Sequence, residues 1–181
     1  MESVLIELFD EIPAIQKIKL NQFFKATNGN FNLWGKLKFI FKKLQDGVPK
    51  EKVAARFVGG CVRKHLSNEK IDDIDVATIL TVDQIKEKLS GTNLKIIDTG
   101  IKHGTLTIVS KNLKIEITTL RKDIKTDGRH AEIQYTDNWQ LDSERRDFTI
   151  NAIYLNINGK IFDPQMGTIA VSYTHLTLPT K

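Results

Sequence analysis

Residues 71–80 read IDDIDVATIL, an apolar run interrupted on alternate positions by acid. Side chains of a β-strand alternate faces, so a strand over Asp73–Thr78 would turn Asp73 and Asp75 one way and Ile74 and Val76 the other. Such a segment can bury only one face. It must sit in a sheet whose core side is covered and whose other side opens onto something that tolerates charge. A second strand, LKIEITTL, follows the same rule: Ile115 and Ile117 share one face and Glu116 takes the opposite one. This allows a third carboxylate to join the pair across the sheet. Like charges so close repel strongly at low effective dielectric, and a cation is what commonly lets such a cluster stay ionised. Oxygen donors without cysteine or histidine beside them suit magnesium or manganese, which keep waters and bind substrate phosphates. Two such ions about 3.5 to 4 Å apart serve in-line displacement at phosphorus. An Asp-x-Asp alone is also consistent with a surface pair or a turn.

The upstream context narrows the choice. Ala55–Val58 reads as a short strand, Gly59-Gly60 as a turn, and Cys61–Leu66 as one or two turns of helix. A strand running through glycines into a helix start exposes backbone N–H groups that can approach a phosphate. Arg63, one turn on, can add charge-assisted hydrogen bonds. Further along, Thr81 and Gln84 have capping-box spacing for a helix to about Leu89, stopped by Gly91. LKIID, TLTIVS and LKIEITTL are strands, and the short turn at Lys111-Asn112 predicts an antiparallel pair. A polar loop around Asp127–His130, a helical RRDF stretch, the strand NAIYLNI and a hairpin at Asn158-Gly159 complete the pattern. Strands and helices mix without βαβ repetition, so the expectation is an α+β fold, a mixed β-sheet flanked by helices. Ahead of it, apolar residues at helical spacing from about Ala14 to Leu44, broken at Asn28–Asn30, predict an N-terminal helical segment. Its lysines, Lys36, Lys38, Lys42 and Lys43, are read as a solvated face.

Composition excludes other classes. The 181 residues are 40% hydrophobic, enough for one core of ordinary size, and no run reaches the roughly 20 apolar residues of a membrane span. The N-terminus has no basic stretch leading into an apolar segment, so the expected location is the cytoplasm. The single cysteine, Cys61, can form neither an internal disulfide nor a cysteine cluster for zinc, and reads as a small buried hydrophobe. A net charge of +5 favours a polyanionic partner only slightly. His65, His103 and His130 lie in unlike contexts and are assigned structural or phosphate-side roles rather than metal ligation.

Taken in order, RFVGGCVRKHL, KIDDIDVAT, KHGTLTI, IEITTLR, TDGRHAE, RRDFTINAIYL and NGKIFDP resemble the catalytic head of bacterial CCA-adding tRNA nucleotidyltransferases and the related bacterial poly(A) polymerases, from about Arg56 to Gly167. The resemblance implies the nucleotidyltransferase fold of the DNA polymerase β superfamily. It implies catalysis by Asp73, Asp75 and Glu116, with Asp73 and Asp75 as ligands of a two-metal magnesium site that manganese could also fill. It also implies nucleotide contacts from the glycine turn (Gly59, Gly60), Arg63, Arg146, Asp147 and Asn151, and a mobile loop over Thr126–His130. The function so implied is template-independent addition of CCA, from CTP and ATP, to the 3′ end of tRNA. Poly(A) addition is the alternative within the class, and a non-catalytic nucleotide- or RNA-binding module the alternative outside it. Lys64 stands where the family has aspartate, which puts a local salt bridge in doubt. The expected organisation is a helical segment over 1–52, the head over 53–167, and a doubtful tail over 168–181, read as foreign or misread sequence or else as a divergent edge strand. Family members continue into a neck, body and tail, and the neck carries base selection; this chain is expected to correspond to the head without them.

Overall fold

A computed structural model describes residues 31–111, 113–126 and 131–176. The first predicted helix of the N-terminal segment lies outside these residues. The second is α1, Phe31–Gln45. It leads to β1 (Ala55–Val58), α2 (Gly60–Leu66), β2 (Ile74–Thr78) and α3 (Val82–Leu89), then to β3 (Lys95–Gly100), β4 (Thr105–Ser110) and β5 (Leu113–Thr119). The remaining elements are β6 (Arg121–Thr126), β7 (Ala131–Tyr135), α4 (Trp139–Glu144), β8 (Tyr154–Leu155), β9 (Ile161–Phe162) and α5 (Gly167–Leu176). One sheet has the order β3-β4-β5-β2-β1-β8-β9, and β6 pairs with β7 in a separate ribbon. Within the large sheet β2 and β5 are parallel, and every other neighbouring pair is antiparallel. The β4–β5 hairpin and the β8–β9 hairpin follow the predicted turns, with Gly159 at φ 81° in the second.

Alternation sorts the side chains into two clusters. Phe57, Val76, Leu106, Ile108, Ile115 and Ile117 join Leu37, Ile40, Phe41 and Leu44 of α1, Val62 of α2, and Ile85 and Leu89 of α3 in the main core. The neighbouring positions Val58, Ala77 and Tyr154 form a smaller cluster with Leu120 on the other side. Each fully buried aliphatic or aromatic side chain contributes roughly 1.5–3 kcal/mol, so α1 is part of the core and not an appendage. Phe41 and Phe57, with ring centroids 4.6 Å apart, join that helix to the sheet. The capping box of α3 forms as the spacing predicts: Thr81 Oγ1 accepts from the Gln84 N–H, and Gln84 Oε1 accepts from the Thr81 N–H.

Three segments differ from expectation. RRDF is not helical: α4 lies ahead of it, capped by Asn138 Oδ1, and closes when the Arg146 N–H bonds back to Ser143 O at 3.3 Å. A single 3₁₀ turn, Thr149–Asn151, follows. The polar stretch read only as a loop carries β6 and β7 on its flanks, paired with each other in a ribbon separate from the large sheet. Residues 127–130, which include most of the expected mobile loop, lie outside the described residues. Finally, Gly167–Leu176 is a helix and not an edge strand, with Val171 buried against the main core. Asp163 prepares its start, accepting from the N–H groups of Gly167 and Thr168 and from the Thr168 hydroxyl. A Cβ at Gly167 would fall 2.1 Å from Thr149 O, so only glycine fits this approach. Among the described residues no helix is long and apolar enough to cross a membrane.

Candidate active site

The parallel pairing of β2 with β5 builds the acidic side of the site. Its register sets Asp75 beside Glu116, with Ile74 and Ile115 on the preceding rung pointing into the core. Asp73 stands at the entrance to β2, one residue before the strand begins. Asp73, Ile74, Asp75, Lys114 and Glu116 line a pocket of about 260 Å³. Burial, then the Glu116 and Asp73 carboxylates, push the Asp75 carboxyl above its ordinary range, while Arg146 and Lys114 act against the shift. The pocket is therefore a place of concentrated negative potential only partly offset by cations. Lys114, not anticipated from the sequence, lies 3.9 Å from Glu116, both side chains being well exposed. Among the described residues no three carboxylates, histidines or cysteines are drawn together as a ready ligand set. An all-oxygen donor group of this charge fits a hard divalent cation.

The glycine turn closes one side. Gly59 has φ 73°, a left-handed conformation suited to glycine, and a Cβ there would meet Asp75 Oδ2 at 3.8 Å. Around Gly60 a Cβ would find open space. The Cys61 thiol lies 3.2 Å from Val58 O and 3.6 Å from Asp75 O, stitching the turn to the acidic strand. Burial holds that thiol at a pKa of about 11, so it is a packing group, as its sequence context indicates. Lys64 bonds Asp72 at 2.9 Å, which supplies a local salt bridge of this chain's own.

The arginine side is built from two distant segments. Arg63 NH1 donates to Asn151 Oδ1 at 3.0 Å, so two residues 88 positions apart meet as neighbours. Arg146 lies nearby, its NH1 3.5 Å from Asn151 O, and its charge is felt by Asp75. Asp147 is exposed at the next position. The structure thus brings Arg63, Arg146 and Asn151 together near the acidic pocket. Asp142, missed in the sequence, is wholly buried and accepts from Arg145, Arg146 and the Tyr154 hydroxyl. Burial alone would raise its pKa, but the Arg146 and Arg145 guanidiniums outweigh it and hold the carboxyl below its ordinary range. Its signal was available: an acid three and four residues ahead of two arginines. Tyr154 is fixed in turn by Trp139, edge-on at 5.4 Å, and the Arg56 guanidinium packs between the rings of Trp139 and Phe162 at 4.1 and 4.5 Å.

Residues 55–176 match the family model described as the poly A polymerase head domain. The human protein named CCA tRNA nucleotidyltransferase 1, mitochondrial, is 46% identical over 123 residues, 67% of this chain and 28% of that protein. The CCA-adding enzyme of Lactobacillus delbrueckii subsp. bulgaricus is 42% identical over 111 residues, 60% of this chain and 27% of its own length. Among solved structures, the Bacillus stearothermophilus CCA-adding enzyme in complex with CTP superposes with a TM-score of 0.62 at 34% identity, covering 77% of this chain and 31% of that one. The chain thus spans a little over a quarter of the length of these curated relatives, 27–28%. A mixed sheet with an acidic parallel strand pair, joined through a glycine turn to an arginine cluster, accompanies a family match over most of the chain, and the protein belongs to the poly A polymerase head-domain family, with the nucleotidyltransferase fold.

Proposed function

We propose that this chain is the catalytic head of a template-independent nucleotidyltransferase that adds CCA to tRNA 3′ ends from CTP and ATP. The observation that carries the reading is the rung of β2 and β5 that sets Asp75 beside Glu116, in one pocket with Asp73 and within electrostatic reach of Arg146. The names of the relatives supply the substrate, and a CTP complex of one of them supplies the nucleotide class. The family model's own description favours poly(A) addition as the second reading.

Asp73 and Asp75 would hold magnesium, or manganese, with Glu116 as the third catalytic carboxylate. When bound there, the cation supplies Lewis-acid stabilisation of charge on the phosphate oxygens. The chain's own residues do the rest. Arg63, presented by α2 and oriented by Asn151, receives the triphosphate together with the Gly59-Gly60 turn. Arg146 contacts the nucleotide, and Asp147 and Asn151 stand on the ribose side. The RNA 3′-hydroxyl attacks the α-phosphorus, a new P–O bond forms, the bond to the β-phosphate oxygen breaks, and pyrophosphate leaves. The acceptor proton passes to a carboxylate or to water. Positioning and electrostatics carry the rate gain, and no covalent enzyme intermediate is required. The reading includes a cytoplasmic setting; the human relative is named mitochondrial, and imaging of the tagged chain in its own cells decides between them.

The test is incorporation of labelled CTP or ATP into tRNA lacking its 3′ end, with magnesium, by the chain and by its Asp75→Ala variant. Turnover by the wild type alone supports the enzyme, at a rate expected to be low and weakly base-selective. Nucleotide binding without incorporation supports the binding module, and repeated addition of A alone supports poly(A) synthesis.

A further inference from the structure

Asp142 belongs to none of the segments that carry the resemblance, yet its side chain is only 1% exposed and its two oxygens are fully engaged. Oδ2 accepts from the Tyr154 hydroxyl at 2.8 Å and from Arg146 twice, from NH2 at 2.9 Å and from Nε at 3.2 Å. Oδ1 accepts from Arg145 Nε at 2.9 Å and from the backbone N–H of Arg121, the first residue of β6, at 3.2 Å. The grip on Arg146 uses the Nε/NH2 edge of the guanidinium and leaves NH1 on the side of Asn151, whose own side chain holds Arg63. Two arginines share one carboxylate, so the cluster of Arg145, Arg146 and Asp142 keeps a formal charge of +1. An anionic ligand therefore still finds a cation there, in a fixed pose.

We infer that Asp142 is a positioning residue for nucleotide binding, holding Arg146 in the orientation in which its remaining donors face the triphosphate-side residues. This rests on the assignment of Arg146 to the nucleotide made above. Physically the case is one of pre-organisation. A free arginine side chain has rotamer freedom to lose on binding, and a guanidinium already clamped along one edge loses much less. Because Oδ1 of the same carboxylate anchors the first N–H of β6, the root of the ribbon and the pose of Arg146 share one support.

The experiment titrates CTP and ATP, with magnesium, into the full 181-residue chain by calorimetry, comparing wild type with Asp142→Asn, Tyr154→Phe and Arg146→Ala. Circular dichroism checks that each variant is folded at the titration temperature. Asp142→Asn keeps the shape but turns one acceptor into a donor facing guanidinium N–H groups, and is expected to weaken nucleotide binding by about tenfold or more. Tyr154→Phe removes one hydrogen bond to Oδ2 and the hydroxyl that accepts from Arg146 Nε at 3.2 Å, so it loosens the same clamp from its second partner and is expected to weaken binding about threefold. A folded Asp142→Asn variant that binds as tightly as the wild type overturns the inference, even if its melting temperature falls. Where Asp142→Asn does not fold, Tyr154→Phe decides: unchanged affinity overturns the proposal and a threefold loss sustains it. Arg146→Ala separates the two levels. If it binds as well as wild type, the nucleotide role of Arg146 itself is wrong; if it alone weakens binding, only the role of Asp142 is. A wild-type chain that binds neither nucleotide defeats both.

Discussion

The acidic and basic halves of the site are built on opposite principles. Asp73, Asp75 and Glu116 share an open pocket in which Lys114 pairs loosely with Glu116, at 3.9 Å, and the burial of Asp75 works against its ionisation. Asp142, Arg145, Arg146 and Tyr154 form a buried and mutually satisfied cluster with contacts of 2.8 to 3.2 Å. A group that must accept a cation or a phosphate from outside is left electrostatically incomplete. One that must only hold its place is completed by the protein. The difference teaches where stability and activity part company: the acidic half should be dispensable for folding, and the arginine half should not.

The largest effect expected on that comparison is on stability. Asp142→Ala leaves two guanidiniums and a tyrosine hydroxyl without their shared acceptor and should cost about 3–5 kcal/mol in urea unfolding. The sign of its pH dependence follows from the lowered pKa: the contribution is fully present above the ordinary carboxyl value of 3.8 and is lost as pH falls through the lower folded value. The stability gap between wild type and Asp142→Asn should accordingly narrow only below about pH 4. Asp75→Ala comes next, with the opposite profile: incorporation should drop at least about 10²-fold, about 3 kcal/mol of transition-state stabilisation, with no loss in the unfolding midpoint. A clear drop in that midpoint would erase the contrast between the two halves. Asn151→Ala probes the seam between them. Losing a charged hydrogen bond to Arg63 should cost about 1.5–3 kcal/mol, seen as a rise in KM for the nucleotide greater than any fall in kcat. Smallest is Lys114→Met. Its exposed pairing with Glu116 is worth at most about 1 kcal/mol, so magnesium affinity, read by calorimetry, should rise by no more than about fivefold.

How much of this could be read in advance varied with the range of the interaction. The strand–glycine–helix unit over Ala55–Leu66 and the capping box at Thr81 are short-range, and the chain forms them as read. The helix drawn through RRDF failed because helical propensity is a weak prior there: the Arg146 N–H closes α4 on Ser143 O and the backbone is extended by Phe148. The ribbon β6–β7 escaped notice because RKDIKT and AEIQY carry too many polar residues to show an apolar alternation, and α5 because Val171 reaches the core across a glycine contact with Thr149 that no local pattern announces.

By itself, then, the order of residues determined the strands that alternate acid with core and the places where the backbone needs glycine, since each of these depends on neighbours within one turn or one pleat. Tertiary structure alone decided that β2 lies parallel to β5 so that Asp75 meets Glu116, and that Asp142 takes both arginines. Parallel pairing has no hairpin to specify it, and a buried carboxylate chooses its partners only once packing has removed water as a competitor.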